Sequence, residues 1–384
     1  MGSMKPTTMP SERSSYRDRT SGVEVVQLTA HRGHSHHFYF TNPGWYDGGR
    51  RLLVGSDRGD RTNLYGVDLA GGAVEQLTDL PPVPLPREVE FLRACLNPVR
   101  DEVLFWHDRS LMHLDLATRR TRVLLELEPR WCVSMTNCSA DGRFVYFGSW
   151  EDQSGKFEVD LLRGYVGFGE TWAEKPLSRI ERVELATGRH EVVFEERYWI
   201  GHVNTSPRDP DLLTFCHEGP WDKVDNRIWG LRPSTGRAWC LRPCGPGEVV
   251  GHEYWFADGK RIGYHGHGPQ GAVLGRMAAD GSDRREAIFP GHTGHIFSRD
   301  EHLIVGDGGG VIRLWRLIDG AYEPPRVLCR HDSGMKIQQT HPHPVISADG
   351  TTVVFTSDAR TGYGNVFQVR LDQVDIAGLP FAKD

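Results

Sequence analysis

Short apolar segments separated by small polar turns recur along the whole chain, and this pattern predicts an all-β fold. In a typical copy, an Asp-Gly turn at residues 141–142 precedes an apolar run at residues 144–148. A third and a fourth strand are then predicted, as at residues 63–69 and 74–78. No helical periodicity competes with this pattern. The turns lie at residues 47–48, 141–142, 258–259 and 349–350, with weaker copies near residues 97, 207 and 298.

The spacing of these copies predicts a seven-bladed β-propeller with four-stranded blades. Seven copies start near residues 37, 91, 134, 200, 251, 294 and 341. Their period of about 40–50 residues is typical of propeller blades. Two stacked β-sandwiches would need a break in the repeat, which the sequence does not show.

The two ends of the chain complete this prediction. The last copy stops after its third strand, whereas residues 23–29 closely resemble the fourth strand at residues 74–78. We therefore predict that the N-terminal strand completes the last blade and removes an open sheet edge. Residues 1–21 are predicted to be a disordered tag or N-terminal tail, and residues 22–384 a single propeller domain.

Histidines concentrate at one position of the repeat. The first strand of each propeller blade lines the central channel, so residues at its start gather around the axis. Converging imidazoles are typical of a metal site or a catalytic site. A single histidine at this position is more often a hydrogen-bonded filler, but the repetition favours function. The histidines at this position are His36, His37, His202, His252, His295, His341 and His343.

One segment has the spacing of a metal-binding half-shell. His341 and His343 are two residues apart, so on a strand they point to the same side. Gln338 lies three residues earlier, where a turn could bring its carbonyl oxygen to the same point. His295 opens the adjacent blade and is the expected third imidazole, with His292 as its rival. Imidazoles suit zinc, iron or nickel, whereas the amide oxygen favours manganese or calcium.

The composition of the chain argues against several classes of binding partner and location. The 384 residues have a formal net charge of -6 and no basic run, which argues against a nucleic-acid partner. No apolar run approaches the ~20 residues that span a bilayer, and the first 22 residues lack the apolar core of a secretion signal. The 7 cysteines form no CxxC pair and are expected to be reduced thiols. A cytoplasmic protein is the expectation, and a homo-oligomer stays open.

Several longer motifs resemble the oligogalacturonate lyase family. They are residues 33–49 (GHSHHFYFTNPGWYDGG), 55–58 (GSDR), 215–220 (FCHEGP), 251–255 (GHEYW) and 340–344 (THPHP). The resemblance runs from about residue 22 to the end and keeps its order. It implies a seven-bladed propeller, a cytoplasmic location and manganese-dependent cleavage of short pectin fragments. One departure is a shorter segment after residues 306–308, which puts the preferred chain length or uronate in doubt.

The resemblance also assigns roles to residues. The metal ligands would be His295, Gln338, His341 and His343. His252 would be the base that removes the C5 proton of a uronate, and Arg227 would bind its carboxylate at two points. Arg58, His37 and Trp45 are further candidates for the substrate surface, because Arg58 follows a channel-side strand and Trp45 could stack on a sugar.

The expected activity is that of a carbon–oxygen lyase acting on polysaccharides. Its substrates would be digalacturonates, saturated or 4,5-unsaturated, and its products monomeric 4-deoxy-5-keto-uronates. Two alternatives stay open: a lyase of the same mechanism on a different uronate oligosaccharide, and a non-enzymatic TolB-like propeller that binds a protein partner. The chain has no G-x-S-x-G nucleophile motif and no phosphate-binding glycine loop.

Overall fold

Seven antiparallel β-sheets, the blades of a seven-bladed β-propeller, make up the chain in a computed structural model that describes residues 7–83 and 90–383. The predicted fold class is confirmed. The first three blades comprise Ser35–His36, Trp45–Tyr46, Arg51–Ser56, Asn63–Asp68 and Val74–Gln76 in blade 1; Cys95–Leu96, Glu102–His107, Ser110–Asp115 and Thr121–Glu126 in blade 2; and Trp131–Cys138, Phe144–Glu151, Leu177–Glu184 and His190–Arg197 in blade 3.

The remaining four blades follow the same plan. They comprise Ile200–Thr205, Leu213–His217, Ile228–Arg232 and Arg237–Cys240 in blade 4; Val249–Trp255, Arg261–Gly268, Gly271–Ala278 and Arg285–Ile288 in blade 5; Ile296–Ser298, Leu303–Gly308, Val311–Ile318, Ala321–Tyr322 and Arg326–Arg330 in blade 6; and Val345–Ile346, Thr352–Ser357, Asn365–Arg370, Glu24–Gln27 and Ser14–Arg17 in blade 7.

Helices are short and lie between the strands. The α-helix Phe168–Glu174 interrupts blade 3 between its second and third strands. The 3-10 turns are Glu90–Arg93, Gln338–Thr340, Leu371–Gln373 and Ile376–Gly378. No helix among the described residues is long and apolar enough to cross a membrane.

The blades are distributed over two compact units. Residues 90–271 and 275–286 form the four-blade unit, which holds blades 2 to 4 and most of blade 5. Residues 7–82, 272–274 and 287–383 form the three-blade unit, which holds blades 1, 6 and 7. Within the four-blade unit, Trp106 and Phe147 pack in a core shared by blades 2 and 3. The single-domain organisation of residues 22–384 stays a prediction.

Two of the Asp-Gly turns of the repeat, at Gly142 and Gly259, are explained by how neighbouring blades pack. Gly142 of blade 3 has φ +67°, and a Cβ there would lie 2.4 Å from the Asn97 side chain of blade 2. Gly259 of blade 5 has φ +65°, and a Cβ there would lie 2.5 Å from the Arg208 side chain of blade 4. A side chain at either glycine would strain the backbone and strike the preceding blade. At residues 142 and 259, the glycine that marks the copy in the sequence is therefore also a blade–blade contact.

The N-terminal strand completes blade 7, as predicted. Glu24–Gln27 pairs antiparallel with Asn365–Arg370, and Val26 lies opposite Gln368. The Thr29 hydroxyl donates to Asn365 Oδ1 at 2.9 Å. Val25 is fully buried in the core that blade 7 shares with blade 6. Without this pairing, the third strand of blade 7 would present an unpaired edge to water.

The prediction of a disordered tail over residues 1–21 is wrong from residue 7 onward. Thr7–Met9 pairs with Val74–Gln76 at the edge of blade 1, and Ser14–Arg17 pairs with Glu24–Gln27 at the edge of blade 7. Strand pairing satisfies the backbone polar groups of this polar segment, and Tyr16 packs against the apolar core of blade 7. Residues 1–6 lie outside the described residues.

Shortening Val25 should destabilise the three-blade unit. Because its side chain is fully buried, Val25→Ala should cost roughly 2 kcal/mol and lower the melting temperature. Glu24→Ala on the same strand is the control, since Glu24 is exposed and should tolerate the change. Thermal unfolding followed by circular dichroism measures both variants. Equal melting temperatures would contradict the burial of Val25.

Candidate active site

Three predicted metal ligands come together in the three-blade unit. His295, His341 and His343 are buried, and each offers one ring nitrogen within 4.8 Å of the others. The Nε2 atoms of His295 and His343 are 3.1 Å apart. His292, the rival of His295, is not part of this group. His295 and His343, 48 positions apart in sequence, therefore direct ring nitrogens at the same position.

A turn, rather than a regular strand, brings His341 and His343 together. His341 directly follows the 3-10 turn Gln338–Thr340, and its N–H donates to the Gln338 carbonyl at 3.1 Å. His343 has φ +42°, and the strand of blade 7 begins only at Val345. The expectation that the two side chains point to the same side of a strand is thus wrong in detail, because neither residue lies on a strand. Gln338 is half-buried and opens the turn that leads into this pair.

Asp307 orients His295, and the sequence analysis missed this role. Its Oδ2 lies 2.7 Å from His295 Nδ1, and its Oδ1 accepts the backbone N–H of His295 at 2.7 Å. Burial by itself would raise the pKa of Asp307, yet its interactions with His295 lower the pKa to about 2. The ionised carboxylate holds the His295 proton on Nδ1. The Nε2 atom then has a lone pair that can bind a metal ion. An aspartate within the apolar strand Leu303–Gly308 was the available signal.

Two further histidines support the backbone of the ligands. His37 is 1% exposed, and its Nε2 lies 2.8 Å from the His343 carbonyl while its Nδ1 lies 2.8 Å from Thr356 Oγ1. His36 accepts the Phe38 N–H on Nδ1 and approaches the His341 carbonyl with Nε2 at 3.2 Å. Both rings are therefore positioned by the protein itself. The contact of His37 with substrate stays a prediction.

The donor set fits a divalent cation. Burial, followed by the charge of His295, lowers the pKa of His341 to about 4. Burial and the neighbouring imidazoles hold the pKa of His343 well below its usual value. Neutral imidazoles are the form that binds metal. The Nε2 atoms of His295 and His343, 3.1 Å apart, mark the nitrogen-lined position that such an ion would occupy.

The predicted base and arginine meet in the four-blade unit. His252 Nδ1 lies 2.9 Å from His265 Nε2, and the His252 ring stands edge-on to Trp221 at 5.1 Å between centroids. The Arg227 guanidinium lies 5.4 Å from the centroid of the same indole. A Cβ at Gly251 would lie 2.8 Å from Arg227 Nε, so the missing side chain lets the arginine approach the strand of His252. We call these residues the His252 cluster.

Glu218 anchors the arginine of this cluster. Its Oε1 accepts a hydrogen bond from Arg227 Nη2 at 2.8 Å, and Arg227 Nη1 reaches the Gly219 carbonyl at 3.3 Å. Burial alone would lower the pKa of Arg227, but the Glu218 carboxylate raises it. Arg227 is 4% exposed and stays charged. The role of Glu218 was not predicted, although it belongs to the motif at residues 215–220.

The other candidates for the substrate surface lie in blade 1. Arg58 is 6% exposed and pairs with Glu12 at 2.9 Å, above the ring of Tyr65. Trp45 is half-buried on a short strand that pairs with Arg51–Ser56. The ordered N-terminal segment thus covers Arg58, which the sequence did not foresee. A substrate role for Arg58 and Trp45 stays a prediction.

Comparison with known proteins gives the chain its family. The sequence model of oligogalacturonate lyases matches residues 4–312, a range that contains Arg227, His252 and His295.

The chain belongs to the oligogalacturonate lyase family.

Relatives of this family match nearly the whole chain. An oligogalacturonide lyase of Pectobacterium atrosepticum is 26% identical over 389 residues, covering 92% of this chain and 95% of the relative. An oligogalacturonate lyase of Dickeya dadantii is 25% identical, covering 89% and 92%. A solved oligogalacturonate lyase in complex with manganese superposes with a TM-score of 0.85 at 27% identity, covering 96% of this chain and 98% of that one. Membership supports a pectin-related lyase.

Removing the charge of Asp307 should weaken metal binding. Asp307→Asn keeps the shape but loses the carboxylate that holds the His295 proton, so affinity for manganese should fall about 10–100-fold. Isothermal titration with Mn²⁺ measures the effect. Asp300→Asn, at an exposed position of the same blade, is the control. An unchanged affinity in Asp307→Asn would show that His295 is not a ligand.

Proposed function

We propose that this chain is a metal-dependent lyase that cleaves short oligogalacturonates by β-elimination in pectin catabolism. The observation that carries the proposal is the buried cluster of His295, His341 and His343, whose neutral nitrogens suit a divalent cation, in a member of this family. The substrates would be digalacturonates, saturated or 4,5-unsaturated, and the products monomeric 4-deoxy-5-keto-uronates. Gln338 is the fourth proposed ligand.

His252 is the proposed base. Its Nδ1 lies 2.9 Å from His265 Nε2, and in the tautomer in which His252 Nδ1 donates this hydrogen bond, His252 Nε2 keeps a lone pair. A neutral imidazole is suited to accept the C5 proton of a uronate near pH 7. The Trp221 ring packs against His252 and restricts its orientation. The C4 oxygen then leaves as the double bond forms.

Arg227 is the proposed partner of the substrate carboxylate. Glu218 and two backbone carbonyls hold the guanidinium in place, and its Nε has no hydrogen-bond partner among the described residues. A fixed positive charge stabilises the enolate-like charge that develops as the C5 proton leaves. Because the arginine is already positioned, little reorganisation accompanies that step.

Manganese is the proposed cofactor, on the strength of the relative solved with manganese. When bound, a divalent cation supplies positive charge that opposes the charge building up on the uronate carboxylate. We further propose a cytoplasmic location and a uronate oligosaccharide as the partner, with neither nucleic acid nor membrane. Self-association is a further proposal. Arg58, His37 and Trp45 would complete the substrate surface.

Cleavage of digalacturonate should require metal and add no water. The purified protein is incubated with digalacturonate as isolated, after chelation, and after Mn²⁺ is restored. Mass spectrometry then weighs the products: after elimination their masses sum to that of the substrate, whereas hydrolysis adds one water. We expect water-free cleavage that stops with chelator and returns with Mn²⁺. No cleavage by a metal-loaded protein would favour a different uronate or a binding role.

Replacing His252 should abolish turnover without unfolding the protein. Loss of a well-placed base costs about 10²–10⁴-fold in rate, so His252→Ala should lose kcat to that extent while retaining metal. The control is His267→Ala, an exposed histidine of the same blade. Steady-state kinetics, circular dichroism and metal content are compared. Near-wild-type turnover in His252→Ala would reject the assignment.

A further inference from the structure

A second group of metal-binding side chains lies in the four-blade unit, apart from the histidines assigned to the metal above. It consists of His202, Cys216 and Glu253, whose ligand atoms all lie within 4.8 Å of one another. Cys216 and Glu253 are fully buried, and His202 is half-buried. Each comes from a different strand: the first two strands of blade 4 and the first strand of blade 5. We call this group the Cys216 pocket.

Irregular backbone makes room for the pocket. The ladder of blade 4 shifts register between Gly201 and Asn204, and His202 there has φ +45°. A Cβ at Gly201 would lie 2.7 Å from Glu218 Oε2 and 3.3 Å from Cys216 Sγ. The bare glycine therefore leaves space beside the thiol and the carboxylate. Such bulges commonly re-aim a side chain at a functional position.

The buried carboxylate of Glu253 is the observation that indicates a bound cation. Neither of its carboxylate oxygens has a hydrogen-bond partner among the described residues, and the residue is 0% exposed. The nearest basic nitrogen, His202 Nδ1, lies 3.7 Å from Oε1, beyond hydrogen-bond distance. A buried carboxylate without partners is strongly disfavoured unless a cation compensates it. The guanidinium of Arg227, whose charge also acts on Glu253, is already bonded to Glu218.

Glu218 supplies a fourth donor. Its Oε1 holds Arg227, while its Oε2 lies 3.6 Å from Cys216 Sγ and 3.7 Å from His202 Nε2. Two carboxylates and one guanidinium leave one uncompensated negative charge. If Cys216 releases its proton, two more positive charges balance the pocket, which is the charge of a divalent cation.

We propose that the Cys216 pocket binds a zinc-class divalent cation through Cys216, His202 and Glu253, with Glu218 beside it. A thiolate together with imidazole and carboxylate is a donor set that selects zinc over manganese. Ligands of a tetrahedral ion at about 2.0–2.3 Å lie roughly 3.3–3.8 Å apart, so distances in the pocket would shorten by about 1.5 Å at most. The thiol proton passes to solvent as the ion binds. This inference is independent of the proposed lyase reaction.

Metal content tests the proposal without any measurement of activity. The first cluster is disabled by His295→Ala, and the chelator-stripped protein is dialysed against Zn²⁺ alone and, separately, against Co²⁺. We expect one zinc per chain by mass spectrometry of the metal. Cobalt should add a thiolate-to-metal charge-transfer band in the near ultraviolet, which imidazole and carboxylate ligands do not produce. A chain that retains no zinc and lacks the band would overturn the proposal, and water or a proton on Glu253 would then fill the role of the ion.

Matched variants in the same background assign the ligands. Cys216→Ser should remove the band and weaken zinc binding at least tenfold, whereas Cys132→Ser, at a half-buried thiol outside the pocket, should leave both unchanged. If circular dichroism shows that Cys216→Ser does not fold, Glu253→Gln tests zinc affinity, which should fall at least tenfold, because this change removes one charge with little change of shape and keeps the thiol. A band and an affinity that survive in the folded variant would refute this pocket as the site.

Discussion

The pairing of the N-terminal strand with the last blade is the constraint on which the three-blade unit depends. Glu24–Gln27 donates and accepts the backbone hydrogen bonds that the third strand of blade 7 would otherwise leave unpaired. The same blade carries His341 and His343 just ahead of its first strand, at Val345. Closing the sheet therefore also places two of the proposed metal ligands. The N-terminal strand Glu24–Gln27 therefore stabilises the blade that carries His341 and His343.

Buried polar groups turn that scaffold into a candidate metal centre. His36 and His37 contact the carbonyls of His341 and His343, while Asp307 fixes the ring of His295. Burial keeps the rings of His341 and His343 neutral, which is the protonation state that binds a cation. The proposed ligands are therefore already positioned by the protein itself. Loss of one support would leave a buried ring or carbonyl unsatisfied, so the second layer of residues carries part of the function.

The four-blade unit uses the same physical means for a different purpose. Glu218 neutralises Arg227 and holds it against Trp221, and His265 orients the ring of His252. The carboxylate oxygens of the neighbouring Glu253 accept no hydrogen bond from the part of the chain that the structure describes, and this difference is the basis for the zinc-class ion that we propose there. The arginine anchor and the pocket share Glu218, which follows the second strand of blade 4, and the pocket adds Glu253 from within the first strand of blade 5.

The sequence by itself determined the repeat, the seven blades and the completing N-terminal strand, because strand period and turn chemistry are local properties of the copies. The family was indicated by the resemblance of longer motifs, such as those at residues 33–49 and 340–344. It also brought His295, His341 and His343 to attention through their common place in the repeat. Only the tertiary structure decided the roles of Asp307 and Glu218, the order of residues 7–17 and the burial of His37 and Arg58. These depend on contacts between residues far apart in the chain, such as His37 with His343, which local periodicity does not encode.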